Sequence, residues 1–481
     1  MMKSLWVALV FLFLGSGSVE AADRPNVLLI CIDDLRPVLG CYGGAARTPN
    51  LDRFAESAVT FQRHYVQFPS CGPSRASMFG GVRPDTLRLY GNGGAASVAN
   101  DPENRPTMPL YFRNNGYTTL SFGKTYHSKG WGPGFGWSRP PWHPPSGWTC
   151  YVNFKAPKGK SRKGSWRPAF EIYDGPDNLH GDYQTADQAI KAIEENKDKP
   201  FFIVAGFYKP HLPFVAPKRF WDLYKDEEIK PLEPRDIPQG AQHYQYSFRE
   251  ICAYGLQKGK LFTPESMPTE SQAGDLVHAY YAAASFADAQ AGRILKKLDE
   301  LKLQENTIVI VWSDHGFHLG DQKRWAKWTQ FEADMRSPLM IRAPMIGQGG
   351  RHTNALVESV DIYPTLAAAC GLKLPSHLEG VSLLPIINRQ ADSLKPAAYS
   401  QVKGLKNHPN MLAYSLRTDR HRYIEWRDVS DGFNLVNTEL YDLGIIGAER
   451  TNLADDPEQT EVLEACQTLM GAGYSTLLKV E

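Results

Sequence analysis

The chain predicts an α/β fold with a large mixed, mainly parallel sheet sandwiched by helices, and three observations predict it. Four apolar runs, NVLLICI (26–32), YTTLSF (117–122), FFIVAGF (201–207) and TIVIVW (307–312), carry no polar/apolar alternation. Unbroken apolar strands are those covered on both faces, as in parallel sheets. Amphipathic stretches suited to helices lie between the runs, and strands alternating with helices make an α/β fold. Each run is also followed at once by chemistry-bearing side chains: Asp33-Asp34, then Lys124 and His127, then His211, then Asp314-His315. Ligands of open α/β sheets bind outside the carboxyl ends of the strands, so four strands deliver reactive groups to one edge.

The helices have local signals. TPNLDRFAESA places Thr48 at an N-cap and Pro49 at the first helical position, with Leu51, Phe54, Ala55 and Ala58 on one side. FADAQAGRILKKLDELKL carries an apolar stripe through Ile294, Leu295, Leu298 and Leu301. ESVDIYPTLAAACG stops at Gly371, a residue suited to the position just past a helix. Residues 128–185 read as a long insertion with Trp131, Trp137, Trp142, Trp148 and Trp166 and a basic run, a length that is either functional or disordered. Its tryptophans either stack on sugar rings or pack the loop itself. Beyond residue 375 the pattern changes to a small α+β subdomain, 376–481. It has a two-stranded stretch over 411–426, a strand near 438–443 and a closing helix. The main domain spans 22–375.

Composition sets the compartment and excludes some partners. Of 481 residues 42% are hydrophobic and 22% charged, enough for a large core. The net charge of +1 gives no global field for nucleic acid or a membrane surface, so any anion preference is local. Lys3, the apolar stretch Leu5–Gly15 and the small residues Val19 and Ala21 read as a signal peptide over 1–21. A single anchoring helix is the alternative, although the stretch is short for a span. The mature protein is thus expected to be exported, periplasmic or secreted, with no membrane span. Export permits disulfides, but seven cysteines is an odd number and leaves at least one unpaired or modified.

Two constellations carry chemistry. Asp33, Asp34 and Asp314 with His315 place three carboxylates at one sheet edge, where they repel one another unless a cation resolves them. Mostly oxygen ligands favour Ca²⁺ or Mg²⁺, while the histidine leaves a transition metal open; caps and salt bridges are the non-metal alternative. Cys71, followed by Pro73-Ser74-Arg75, opens a helix-compatible stretch whose N-terminus attracts anions. A disulfide or buried thiol and a reactive thiol both remain open from these residues alone.

The segment CGPSRASMFGG, from Cys71 to Gly81, resembles the C-x-P-S-R signature of the type I, formylglycine-dependent sulfatases. NVLLICIDDLRP, GKTYH, GFYKPHLPF, WSDHGFHLGD and WAKWTQFEADMRSPLMIRAP resemble that family's other site segments, in family order. Asp314-His315, RPDT (83–86) and YKPHLPF look most like the iduronate 2-sulfatase branch. The resemblance implies an alkaline phosphatase-like fold, a sulfated carbohydrate substrate and a maturation enzyme that converts Cys71 to formylglycine during export. It implies one Ca²⁺ held by Asp33, Asp34, residue 71, Asp314 and His315, and sulfate held by Arg75, Lys124 and Lys327. It implies that one hydroxyl of the hydrated aldehyde attacks sulfur and the other expels sulfate, with His127 accepting a proton and His211 donating one to the leaving oxygen. A phosphodiesterase or phosphonate monoester hydrolase of the same superfamily, and a non-catalytic carbohydrate-binding protein, are the alternatives. A uronate substrate would need a cation for its carboxylate, and the sequence identifies none.

Overall fold

The computed structural model describes residues 24–92, 105–127, 136–155, 166–234, 236–245, 250–344, 349–405, 407–444 and 449–473. The expected leader, Trp131, most of the basic run and the end of the expected C-terminal helix lie outside them. Seven strands form the central sheet: β1 (Asn26–Ile32), β2 (Val59–Tyr65), β3 (Thr118–Gly123), β4 (Phe201–Phe207), β5 (Thr307–Ser313), β6 (Leu339–Arg342) and β7 (Arg351–Glu358). Their order is β7-β2-β6-β5-β1-β4-β3. All neighbours are parallel except β6, which runs against both β2 and β5.

The unbroken apolar runs have a direct cause. In β1, Leu28, Ile30 and Ile32 face one core and Val27, Leu29 and Cys31 face another. The first core is closed by α1 (Pro49–Ala55), by α3 (Gly181–Asn196) and by the long α4 (Glu270–Glu300). The second is closed by α2 (Cys71–Gly80) and α5 (Ile362–Ala369). Side chains alternate across a strand, so a sheet covered on both faces needs apolar residues at every position.

Several expectations are refined. Thr48 sits at the start of α1, but its hydroxyl donates to Asp52 Oδ1 (3.1 Å) rather than capping the helix backbone. α4 begins at Glu270, well before the stretch whose periodicity marked it, behind a capping box of Thr269 and Gln272. The insertion ends sooner than 185, because α3 starts at Gly181. Its residues 138–142 run along the free edge of β3, with Ser138 N–H donating to Thr119 O (2.8 Å) and Trp142 N–H to Ser121 O (3.0 Å). That covers an edge strand which would otherwise offer unpaired backbone groups. Trp137 is buried there beside Tyr126, so it is local core.

After β7 the chain forms an antiparallel meander of β8 (Ala398–Lys403), β9 (Met411–Arg417), β10 (His421–Asp428) and β11 (Asn434–Asp442). Helix α6 (Thr460–Gly473) packs Cys466 and Met470 on Leu412, Tyr414, Leu416 and Leu440. Glu358 at the end of β7 ties this sheet to the main one. Its carboxylate accepts from Arg83 (2.8 Å), Lys395 (2.7 Å), Gln67 (3.1 Å) and the Tyr399 backbone (3.0 Å).

One buried histidine makes the fold pH-sensitive. His64 of β2 lies between Ser337 O, 3.0 Å from Nδ1, and Ser359 Oγ, 2.9 Å from Nε2. Ser359 Oγ also accepts from Trp312 Nε1 (3.0 Å), so its own hydroxyl is free to donate to Nε2 and the ring is satisfied when neutral. Burial lowers its pKa from 6.5 to about 4. The unfolded chain therefore binds this proton more readily, and the stabilisation is full above pH 6.5 and lost as pH falls toward 4. Urea unfolding at pH 7.5 and pH 4.5 should show this loss, and His64→Asn should shrink it by up to about 3 kcal/mol.

Candidate active site

Sheet register assembles the acidic cluster. Ile32 pairs with Ser313 across β1 and β5, so Asp33-Asp34 and Asp314-His315 leave the sheet side by side. Asp34 has a left-handed backbone (φ 58°), a conformation rare for a residue with a Cβ. Its N–H donates to Asp314 Oδ1 (3.1 Å) and its carbonyl accepts from Tyr280 of α4 (2.6 Å), which together hold the turn. On the other side of β1, Gly123 ends β3 with φ +69°, and a Cβ there would strike Gly206 O at 2.1 Å. Glycine at this point lets Lys124 turn back toward β1.

Arg75 is the hub. It is fully buried, with Nε donating to Asp314 Oδ2 (2.8 Å), Nη2 to Asp33 Oδ1 (3.1 Å) and Nη1 to the carbonyls of Lys124 (2.6 Å) and Thr125 (3.0 Å). Lys124 Nζ pairs with Asp33 Oδ2, and Lys327 Nζ with Asp34 Oδ1 (2.7 Å). Cys71, the first residue of α2, is buried at their meeting point. Its Sγ lies 3.4 Å from Lys124 Nζ, 3.4 Å from Lys327 Nζ, 3.3 Å from His315 Nε2 and 3.7 Å from Asp34 Oδ1. The start of α2 is capped from a distance, by Asn92 Oδ1 accepting from the Gly72 backbone (2.8 Å) and from Ser70 Oγ (2.9 Å).

Cys71 opens into a pocket of about 340 Å³ lined also by Lys124, His127, His211 and Lys327, with Asn92, Trp148, Tyr208, Glu250 and Trp328. The structure thus brings together every residue singled out from the sequence: Asp33, Asp34, Cys71, Arg75, Lys124, His127, His211, Asp314, His315 and Lys327. The sequence did not point to Asn92 or Glu250, which lie outside the quoted segments, and it gave no role to Tyr208 or Trp328, which lie inside GFYKPHLPF and WAKWTQFEADMRSPLMIRAP. Of the insertion's tryptophans, Trp148 reaches the pocket, edge-on to His211 at 5.6 Å.

Burial and charge divide the protonation states. Burial alone would raise Asp33, but Lys124, His211 and Arg75 hold it well below the usual carboxylate range. Asp34 goes the other way: burial raises it well above that range, and Lys327 does not offset burial plus the neighbouring Asp33. Burial also raises Cys71 well above the usual thiol value, with Asp33 adding to it, so this thiol is not poised as a thiolate. Burial lowers His127 to about 3 and His315 to about 4. The neutral His315 directs Nδ1 to Gly316 O (2.8 Å), which leaves the Nε2 lone pair facing Cys71 and Asp34.

Two overlapping groups here suit a cation: Asp34, Cys71, Asp314 and His315, and Asp33, Asp34, Cys71 and His211, with donor atoms in each group within 4.8 Å of one another. A third group, Cys150, His180 and Asp182, serves differently. Asp182 accepts the backbone N–H of Tyr208 (2.9 Å) and Lys209 (2.9 Å), and Lys209 Nζ holds the carbonyls of His211 (2.6 Å) and Pro213 (2.8 Å). It is a brace for the loop that carries His211. All seven cysteines are free thiols, Cys31 and Cys370 as core residues.

The sulfatase family profile matches residues 25–372, and the profile described as N-sulphoglucosamine sulphohydrolase, C-terminal, matches 320–472. The chain belongs to the sulfatase family and is a sulfuric ester hydrolase of the iduronate 2-sulfatase-like branch. It is 33% identical to the iduronate 2-sulfatase of Mus musculus over 91% of this chain and 88% of that protein. It is 30% identical to a sulfatase of Formosa agariphila over 94% and 87%. The fold is shared with a protein solved in complex with its substrate D-glucosamine-2-N,6-O-disulfate, at TM-score 0.73 and 22% identity over 95% of this chain and all of that one. It is shared equally with a phosphonate monoester hydrolase of Agrobacterium radiobacter, at TM-score 0.77 and 22% identity over 94% and 96%.

Removing Arg75 leaves buried Asp314 without its guanidinium partner and buried Asp33 with Lys124 alone among the described residues. Arg75→Leu is expected to lower the unfolding free energy by about 3–5 kcal/mol in chemical denaturation.

Proposed function

We propose that the protein removes sulfate from sulfated sugars, with Cys71 matured to formylglycine and one Ca²⁺ held by Asp33, Asp34, residue 71, Asp314 and His315. The observation that carries this is the position of Cys71, buried among two lysines, His315 and Asp34 at the floor of a pocket walled by histidines and tryptophans. The donor set fits a hard cation: three carboxylates and a neutral imidazole with its lone pair directed inward, in a cluster where Asp34 stands largely uncompensated. When bound, such an ion polarises a sulfate oxygen and lowers the pKa of a coordinated hydroxyl. A hydrated aldehyde at residue 71 supplies a hydroxyl nucleophile and a second hydroxyl through which the residue is regenerated.

The chain's own side chains supply the rest. Lys124 and Lys327, both 3.4 Å from Sγ, hold anionic oxygens at the reacting sulfur. Arg75 fixes Asp33 and Asp314 and adds positive charge beneath residue 71. His127, kept neutral by burial, accepts the nucleophile's proton, and among the described residues its Nδ1 has no hydrogen-bond partner. His211, braced through Lys209 and Asp182, is assigned the donation to the leaving sugar oxygen, a role for its protonated form, although burial and then Lys327 and Lys124 hold its pKa well below the ordinary histidine value in the free protein. Trp148 and Trp328 offer ring faces and edges to the sugar. The leader and the maturation enzyme belong to the same proposal, since the modification accompanies export.

Mass spectrometry of the Cys71 peptide from a maturation-competent host should find the aldehyde in place of the thiol. That protein should release sulfate from a panel of sulfated mono-, di- and polysaccharides and leave a phosphodiester intact. His211→Ala should lower the rate by about 10²–10⁴-fold. An unmodified thiol, or turnover of the phosphodiester alone, would overturn the proposal.

A further inference from the structure

Lys327 reaches residue 71 from a turn whose shape has to be held. Its neighbours Ala326 (φ 76°) and Trp328 (φ 92°) both have left-handed backbones, rare for residues with a Cβ. Such conformations persist where the surroundings over-determine them. On the Ala326 side the holder is backbone pairing, since Trp325–Ala326 runs antiparallel to His318–Leu319 and Ala326 sits opposite His318. On the Trp328 side it is one buried side chain. Thr329 is 2% exposed, and its N–H and its hydroxyl both donate to Asp334 Oδ2, each at 2.8 Å. With its proton so placed, Thr329 Oγ1 is left to accept, from Phe331 N–H (3.3 Å) and from His318 Nε2 (3.1 Å). We infer that Thr329 is a positioning residue: its hydroxyl, held between Asp334 and His318, closes the turn that carries Lys327 to residue 71. This rests on the sulfatase reading and adds a residue to which that reading gives no role.

The hydroxyl acts as a clasp because its two partners flank the turn. His318 precedes it and Asp334 follows it, and a single oxygen joins them. Asp334 is itself tied to the strand-end cluster, its carbonyl accepting the Gly316 N–H (2.8 Å) next to His315. Lys327 needs such a frame. It is a point charge on a flexible four-carbon stem, and its ion pairs with Asp34 and Glu250 fix its tip but not its base. A displacement of about 1 Å in a reacting group costs on the order of 10²-fold in rate. His318 and Asp334 are wholly buried, so removing the hydroxyl leaves each short of a partner with no solvent to replace it. Thr329 is not one of the described residues lining the pocket, so its influence on turnover passes through its neighbours Lys327 or Trp328.

A double-mutant cycle separates the two routes. It is run on the matured protein as single-turnover sulfate release, which reads slow variants, with the sulfated sugar that the wild type turns over fastest. Thr329→Val, which keeps shape and removes the hydroxyl, should lower the rate about 10–10²-fold. Thr329→Ser, which keeps the hydroxyl, should stay within about threefold of wild type. In a Lys327→Ala background Thr329→Val should change the rate by less than about threefold, because the lysine it positions is gone. Thr329→Ala, which removes the hydroxyl without adding bulk, repeats the cycle if Thr329→Val does not fold. Additive losses would place the effect at Trp328 or in the fold at large and overturn the inference. Wild-type rates in the hydroxyl-free variants, failure of Thr329→Ser to keep the rate, or loss of folding in both Thr329→Val and Thr329→Ala would overturn it too. Absence of sulfate release by the matured wild type from the whole panel would instead overturn the sulfatase reading and, with it, the inference.

Discussion

Three carboxylates at the ends of two neighbouring parallel strands are the constraint around which this molecule is arranged. Asp33, Asp34 and Asp314 are buried together because the register of β1 against β5 leaves them no alternative. Unpaired, they would cost several kcal/mol each. Arg75 answers two of them with a forked guanidinium that reaches Asp33 and Asp314 at once, a geometry a lysine does not offer. That pairing fixes α2 against the sheet, and α2 in turn places Cys71 at its first residue. Among the lysines and arginines of the described residues Asp34 pairs with Lys327, with His315 and His211 beside it, and burial still raises its pKa well above the usual carboxylate range.

Legibility in the sequence followed from how locally each feature is encoded. β1, β4 and β5, inside the sheet, were readable because burial on both faces leaves them almost wholly apolar; β3, at the edge, was readable through Leu120 and Phe122 despite Thr118, Thr119 and Ser121. β2, β6 and β7 were not. β2 carries half-buried Gln62 and Arg63, β6 is four residues long, and β7 begins with the polar run Arg351–Asn354 at the sheet edge. β8 escaped for a similar reason, since AYSQVK is polar in composition yet buried by the neighbouring sheet and by Glu358. The candidate site residues were legible because they sit in compact motifs, several of them directly after strands. Glu250 and Asn92 come from loops far apart in sequence, and only the closed fold reveals that they share a pocket with Cys71.

The same distinction separates chemistry from substrate choice. Groups at the strand ends are held by the sheet, by Arg75 and by the Asp182–Lys209 brace, which favours a fixed reacting centre. The pocket walls come from the insertion and from loops, the parts of an α/β enzyme in which specificity varies while the scaffold stays. A basic, carboxylate-bearing and aromatic pocket over a common centre is how such a family can share one reaction and differ in the sugars it serves.

The central claim is that the acidic cluster is completed by a single hard cation. Its most direct test is the metal content of the purified, matured protein, measured with melting temperature and sulfate release before and after chelation. One Ca²⁺ per chain, with both properties lost on removal and restored by Ca²⁺, is the predicted result. Full sulfate release and an unchanged melting temperature in metal-free protein would contradict it.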